Sequence, residues 1–150
     1  MLMLILMTAL APMESAGEKA QEIKVYANRP AGMFRKTQVL RTVDELNKAI
    51  PVGGKTYKIT KVLAGLLKVN SVDLEKQMVI VVYAGEKRTG GYSVEVKSLE
   101  VKDKKLIVHW KLNSPGPDDI VTQAITHPQL VLLVDRFDGE VVFDPPVPKK

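Results

Sequence analysis

The sequence predicts a mostly β fold, a β-sandwich or small open barrel built as an antiparallel meander, with one short docked helix. Three observations carry this prediction. Residues 92–96 and 106–112 alternate apolar and polar side chains, the two-residue period of half-buried strands. Residues 78–84 and 130–134 are unbroken apolar runs of strand length, as expected where a strand is covered on both faces. Gly, Pro, Asn and Asp clusters punctuate these runs, and only residues 42–50 carry full helix punctuation.

A chain of 150 residues suits one domain with a core large enough to need no staples. There is no cysteine, which excludes disulfides, thiolate chemistry and Cys-ligated zinc. The 22 basic residues exceed the 17 acidic ones, for a net charge of +5. The charges are interleaved rather than gathered, and aromatic residues make up only 5%, so no base-stacking platform is available and no nucleic-acid partner is expected.

The elements follow in order. Residues 2–11 form an apolar run too short to span a bilayer, which takes about 20 residues as a helix. Pro12 and the small residues Ser15, Ala16 and Gly17 follow it, so residues 1–17 read as a signal peptide and the protein as exported to the periplasm, the envelope or the medium. No Lys or Arg precedes the run. Residues 18–22 read as a linker, residues 23–144 as a single β domain and residues 145–150 as a flexible tail with no membrane anchor. Residues 23–26 suggest a first strand, and residues 28–32 a loop around Pro30.

In the helix at 42–50, Thr42 and Glu45 form a capping box, and Val43, Leu46, Ala49 and Ile50 share one face. Residues 56–69 carry mixed strand and helix periodicity. Beyond the strand at 78–84, residues 85–91 form a loop. The alternation that begins at Tyr92 changes phase near Ser98, which a β-bulge would absorb. Asp103-Lys104 reads as a turn into the strand at 106–112. Asp138-Gly139 reads as a type I′ hairpin turn between the strands at 130–134 and 141–143.

A search for chemistry returns little. His109 and His127 show no metal-ligand spacing and read as surface or loop residues, and neither a metal nor a cofactor is expected. No Ser occupies a Gly-x-Ser-x-Gly elbow, and Asp118-Asp119 reads as loop solvation. Residues 85–91 lack the closing Gly-Lys-Ser/Thr of a phosphate loop and lead into a strand, so no helix N-terminus faces an anion. The expectation is a protein that is not an enzyme. The same loop could serve as a simple turn or, with Arg88, Thr89, Gly90, Gly91 and Tyr92 at its tip, as a recognition element on a rigid sheet.

The run Val79-Ile80-Val81-Val82-Tyr83-Ala84-Gly85 with Thr89-Gly90-Gly91-Tyr92-Ser93 resembles the signature of the PrcB C-terminal domain family. Thr122-Gln123-Ala124-Ile125-Thr126-His127-Pro128 is similar to the family's second block, and Val72-Asp73-Leu74 to a Val-Asp-Phe that precedes the first. The likeness spans about residues 72–143. It implies an exported bacterial domain without catalytic residues, in a family named for a subunit of a surface protease complex and linked to stabilising the protease. Thr-Gly-Gly-Tyr also resembles the Thr-Thr-Gly-Tyr loop of chagasin-like protease inhibitors, with Gly90 in place of a Thr.

Together these observations predict a non-catalytic module that binds a protease or another envelope protein and stabilises or modulates it. The contact would run through Arg88, Thr89, Gly90, Gly91 and Tyr92, with Thr122, Gln123, Thr126 and Pro128 beside them. The alternatives are a chagasin-like inhibitor and a β domain holding a small apolar ligand.

Overall fold

In the computed structural model, residues 22–30, 32–50 and 58–148 are described. The expected signal peptide, most of the linker and Lys149-Lys150 lie outside them. Among the described residues, seven strands and two helices occur in the order β1 (Val25–Pro30), β2 (Gln38–Leu40), α1 (Val43–Ala49), α2 (Ile59–Leu67), β3 (Gln77–Tyr83), β4 (Ser93–Lys102), β5 (Lys105–Asn113), β6 (Gln129–Asp135) and β7 (Glu140–Asp144). The fold is mostly β, as the sequence predicts, and its two sheets do not close into a barrel.

The architecture has three layers. One sheet has the order β1-β6-β3-β2, the other β4-β5-β7. Alternate side chains of β3 and β6 divide between two cores. Met78, Ile80, Val82, Leu130, Leu132 and Val134 face the second sheet and pack with Val94, Leu106, Val108 and Trp110. Val79, Val81, Val131 and Leu133 face the other way, onto Leu46, Ile50, Ile59, Leu63 and Leu67 of the helical layer. This double coverage explains the unbroken apolar runs: neither face of β3 or β6 meets water.

Helix α1 starts where its capping box sets it. Glu45 N donates to Thr42 Oγ1 (3.2 Å), and Thr42 N donates back to Glu45 Oε2 (3.2 Å). With only seven residues it gains little from propagation, and its fully buried Leu46 docks it. The ambiguous segment 56–69 resolves as α2 over Ile59–Leu67, whereas 51–57 lie outside the described residues. Ile59, Leu63, Ala64 and Leu67 are buried, the spacing of one helical face, so two helices cover the sheet where one was expected. Gly65 lies exposed within α2, and a Cβ there would meet nothing within 4 Å. Gly65→Ala is therefore expected to raise stability by about 0.5–1 kcal/mol in urea unfolding, because alanine loses less backbone freedom in a helix.

Three expectations need correction. The sheet pairing is not a meander: β3 and β6, far apart in sequence, are central neighbours, and β7 runs parallel to β5. Asp138-Gly139 is not a hairpin turn, because β6 and β7 belong to different sheets. The type I′ geometry sits instead at Asp103 (φ 52°) and Lys104 (φ 60°), which join the true hairpin β4–β5. Residues 28–30, expected in a loop, pair with β6 as the end of edge strand β1, where Pro30 is tolerated at the margin of a sheet. The bulge expected near Ser98 is present as a register shift between Val96 and Ser98.

Polar contacts lock these layers. Beside β1, the Tyr26 hydroxyl donates to Asp135 Oδ1 (2.7 Å), and this hydrogen bond holds the phenol above its ordinary pKa. His109 is half-buried on β5, with its ring nitrogens 3.1 Å from Glu100 of β4 and 3.2 Å from Asp144 of β7. It therefore links the three strands of its sheet rather than standing free. The expected flexible tail is held in part: Trp110 Nε1 donates to the Pro145 carbonyl (2.7 Å), and Val147 packs on the inter-sheet core.

Candidate functional site

The two sequence blocks singled out as recognition elements meet in space. The loop after β3 does not close a hairpin, since it carries the chain from one sheet to the other. On the way it runs beside the loop that precedes β6. Lys87 N donates to the Thr126 carbonyl (2.9 Å), and Thr126 N donates to the Lys87 carbonyl (2.8 Å), a one-rung antiparallel bridge. Gly90 N donates to the Thr122 carbonyl (2.9 Å), and Thr126 Oγ1 donates to the Thr89 carbonyl (2.7 Å).

The Gly-Gly pair is what allows this approach. A Cβ on Gly90 would lie 2.4 Å from Thr122 Oγ1. Gly91 has φ +88°, and a Cβ there would lie 2.8 Å from both Pro115 and Val121. The glycines thus clamp residues 85–92 to residues 115–126. Tyr92 is half-buried, with Lys87 Nζ 5.6 Å from its ring centroid.

The sequence-predicted residues divide by what they can offer a partner. Arg88, Thr122 and Gln123 are exposed, and Thr89, Tyr92 and Thr126 are half-buried. Gly90 and Gly91 contribute backbone and space. Pro128 is buried and presents no side chain to solvent. Its neighbour Gln129 is the only polar residue among the described buried ones and acts as a false strand: its amide accepts from Phe34 N (2.9 Å) and donates to the Phe34 carbonyl (3.0 Å) and the His127 carbonyl (3.1 Å). This holds residues 32–37 beside the loop pair.

Two residues escaped the sequence reading. Ile120 is fully exposed and Ile125 is 63% exposed, both on the loop that the glycines brace. The signal for them was present: aliphatic residues standing in a Pro/Gly/Asp segment that joins neither adjacent alternation. A large aliphatic side chain fully in water is unfavourable in the isolated chain and costs nothing once a partner covers it.

His127 Nδ1 lies 2.9 Å from the Tyr83 hydroxyl, with no Ser, Asp or Glu in its hydrogen-bond set. Among the described residues no three His, Asp or Glu side chains gather as a metal site, and no helix is long and apolar enough to cross a membrane.

No curated protein and no solved structure matches the chain. A protein family does: residues 78–135 match the family described as PrcB C-terminal. The match begins in β3 and ends with β6, so it contains both central strands, the β4–β5 hairpin and the two bridged loops. Over this span, narrower than the 72–143 of the sequence likeness, the chain is similar to the PrcB C-terminal family.

Proposed function

We propose that this protein is an exported, non-catalytic binding module that associates with a protease complex and stabilises or modulates the protease. The family match over residues 78–135 supports association with a protease complex in general terms. The observation that carries the finer reading is the pair of exposed isoleucines, Ile120 and Ile125, on a loop fastened to the sandwich by the Gly90–Thr122 and Lys87–Thr126 bonds. A fastened loop loses little conformational entropy on binding, and aliphatic anchors gain by desolvation, so the pair combines both requirements of a contact surface. Arg88, Thr122 and Gln123 stand beside the anchors as a polar rim. A chagasin-like inhibitory contact would use the same surface.

The test is affinity capture from a cell-envelope extract with the full chain as bait, alongside the Ile120→Asp/Ile125→Asp double variant. A protease recovered by the wild-type chain and lost by the variant is the expected result. The variant should keep its stability to within about 0.5 kcal/mol, since exposed positions bear little on folding. Recovery of the same protease by both chains would remove these residues from the interface. Capture of no protease by a folded wild-type bait would shift the weight to a small-ligand role.

A further inference from the structure

Behind the bridged loops lies a cleft of about 590 Å³, a volume in the range of small-molecule sites. Its walls come from three parts of the chain that the fold brings together: residues 35–37, which Gln129 holds through Phe34; the end of β3 at Tyr83 with Gly85 and Glu86; and His127. Val147 and Pro148 close one side with apolar surface.

The polar groups of this cleft have a definite sense. Arg35 uses one guanidinium nitrogen on the carbonyls of Gly32 and Phe34 (2.7 and 3.0 Å), which fixes the side chain and leaves its other N–H groups to spare. Neither Arg35 nor Lys36 has a carboxylate partner among the described residues. The Tyr83 hydroxyl and His127 Nδ1 lie 2.9 Å apart and share a hydrogen bond whose direction depends on the ring tautomer. The stacked Tyr83 and His127 rings, 6.2 Å apart, set the imidazole on a rigid wall. Thr37 is already used, since its hydroxyl lies between the backbone N–H and carbonyl of Tyr83 (2.9 and 3.2 Å). The cleft therefore combines two cations and one imidazole with an apolar side, and Glu86 is its single acid.

We infer that this cleft binds a monocarboxylate with an apolar body, its carboxylate taken by Arg35, Lys36 and His127 and its body lying against Tyr83, Val147 and Pro148. Glu86 disfavours a second negative charge, which separates this ligand from phosphate and from dicarboxylates. The chemistry is shared by a free organic acid and by the C-terminal carboxylate of a polypeptide. The inference does not depend on the isoleucine surface, since a carboxylate would bind here whether or not a protein covers Ile120.

The experiment titrates the ¹⁵N-labelled full chain with four probes: N-acetyl-leucine, N-acetyl-leucinamide, an N-acetylated tetrapeptide ending in a leucine carboxylate, and inorganic phosphate. Saturable binding of N-acetyl-leucine is expected, with amide shifts at Lys36, Gly85 and His127. The neutral amide should bind about tenfold more weakly or worse, the worth of a charge-assisted hydrogen bond. Lys36→Met should weaken the acid by a similar factor without moving the unfolding midpoint. Tighter binding of the tetrapeptide would assign the natural source to a chain terminus, and equal binding would assign it to a free acid. Equal binding of acid and amide, competition by phosphate at the same concentration, or unchanged affinity in Lys36→Met would each overturn the inference.

Discussion

Gly91→Val is expected to lower the stability of the domain by about 3 kcal/mol, from two causes that add. The first is conformational: a β-branched residue at φ +88° carries backbone strain of about 1–3 kcal/mol. The second is steric, because the new Cβ would sit 2.8 Å from Pro115 Cβ and from Val121 Cγ1, and separating such contacts costs about 1–3 kcal/mol in a packed site. Urea unfolding followed by Trp110 fluorescence measures the loss. If the two loops instead separate while the sandwich survives, the Lys87–Thr126 bridge breaks, and amide exchange at Thr126 and Gly90 reports it. An unchanged midpoint together with unchanged exchange would contradict the clamp.

Gln129→Leu should cost about as much, roughly 3 kcal/mol, although leucine is more apolar and similar in size. The reason lies in the partners rather than in Gln129 itself. Its amide satisfies the N–H and the carbonyl of Phe34, and leucine would leave both unmet in a buried place. Each orphaned buried group costs about 1–3 kcal/mol. The same substitution frees residues 32–37, so the wall that carries Arg35 and Lys36 should lose its position, and carboxylate binding should fall with stability. Gln129→Glu should be no milder, because it keeps the acceptor for Phe34 N but sets a buried carboxylate against the Phe34 and His127 carbonyls.

The sequence made the strands and their burial legible, because side-chain alternation and apolar runs report directly how many faces a strand buries. β3, β4, β5 and β6 were found for this reason, as was α1, whose capping box is written in two residues. Alternation does not say which strand lies beside which. The parallel pairing of β5 with β7 and the central pairing of β3 with β6 arise from how two sheets and a helical layer stack, and nothing local encodes that. Asp138-Gly139 misled for the same reason: the dipeptide permits a hairpin turn without requiring the flanking strands to pair. At the candidate site, the two blocks were visible as motifs, but their joint role was not. The glycines read either as turn residues or as part of a recognition tip, and the structure uses them for close approach between loops. Ile120 and Ile125 were missed because the one trace an aliphatic residue leaves in a loop is that it joins neither adjacent alternation, and its exposure is needed to separate it from the core. The cleft was invisible for a further reason, since Lys36, Tyr83 and His127 come from three separate segments.

The central pairing of β3 with β6 also sets the order of events while the chain is being made. β3 emerges from the ribosome as a seven-residue strand whose last six residues are all buried in the finished fold; β2 and both helices precede it, but β6 follows only after the whole β4–β5 hairpin. Until Asp135 has been synthesised, this apolar strand has an open edge on its β6 side. Such a strand invites pairing with a neighbouring nascent chain. Newly made protein should therefore depend on a holding chaperone for the interval between residues 83 and 135, and pausing within that interval should raise the aggregated fraction more than pausing after it.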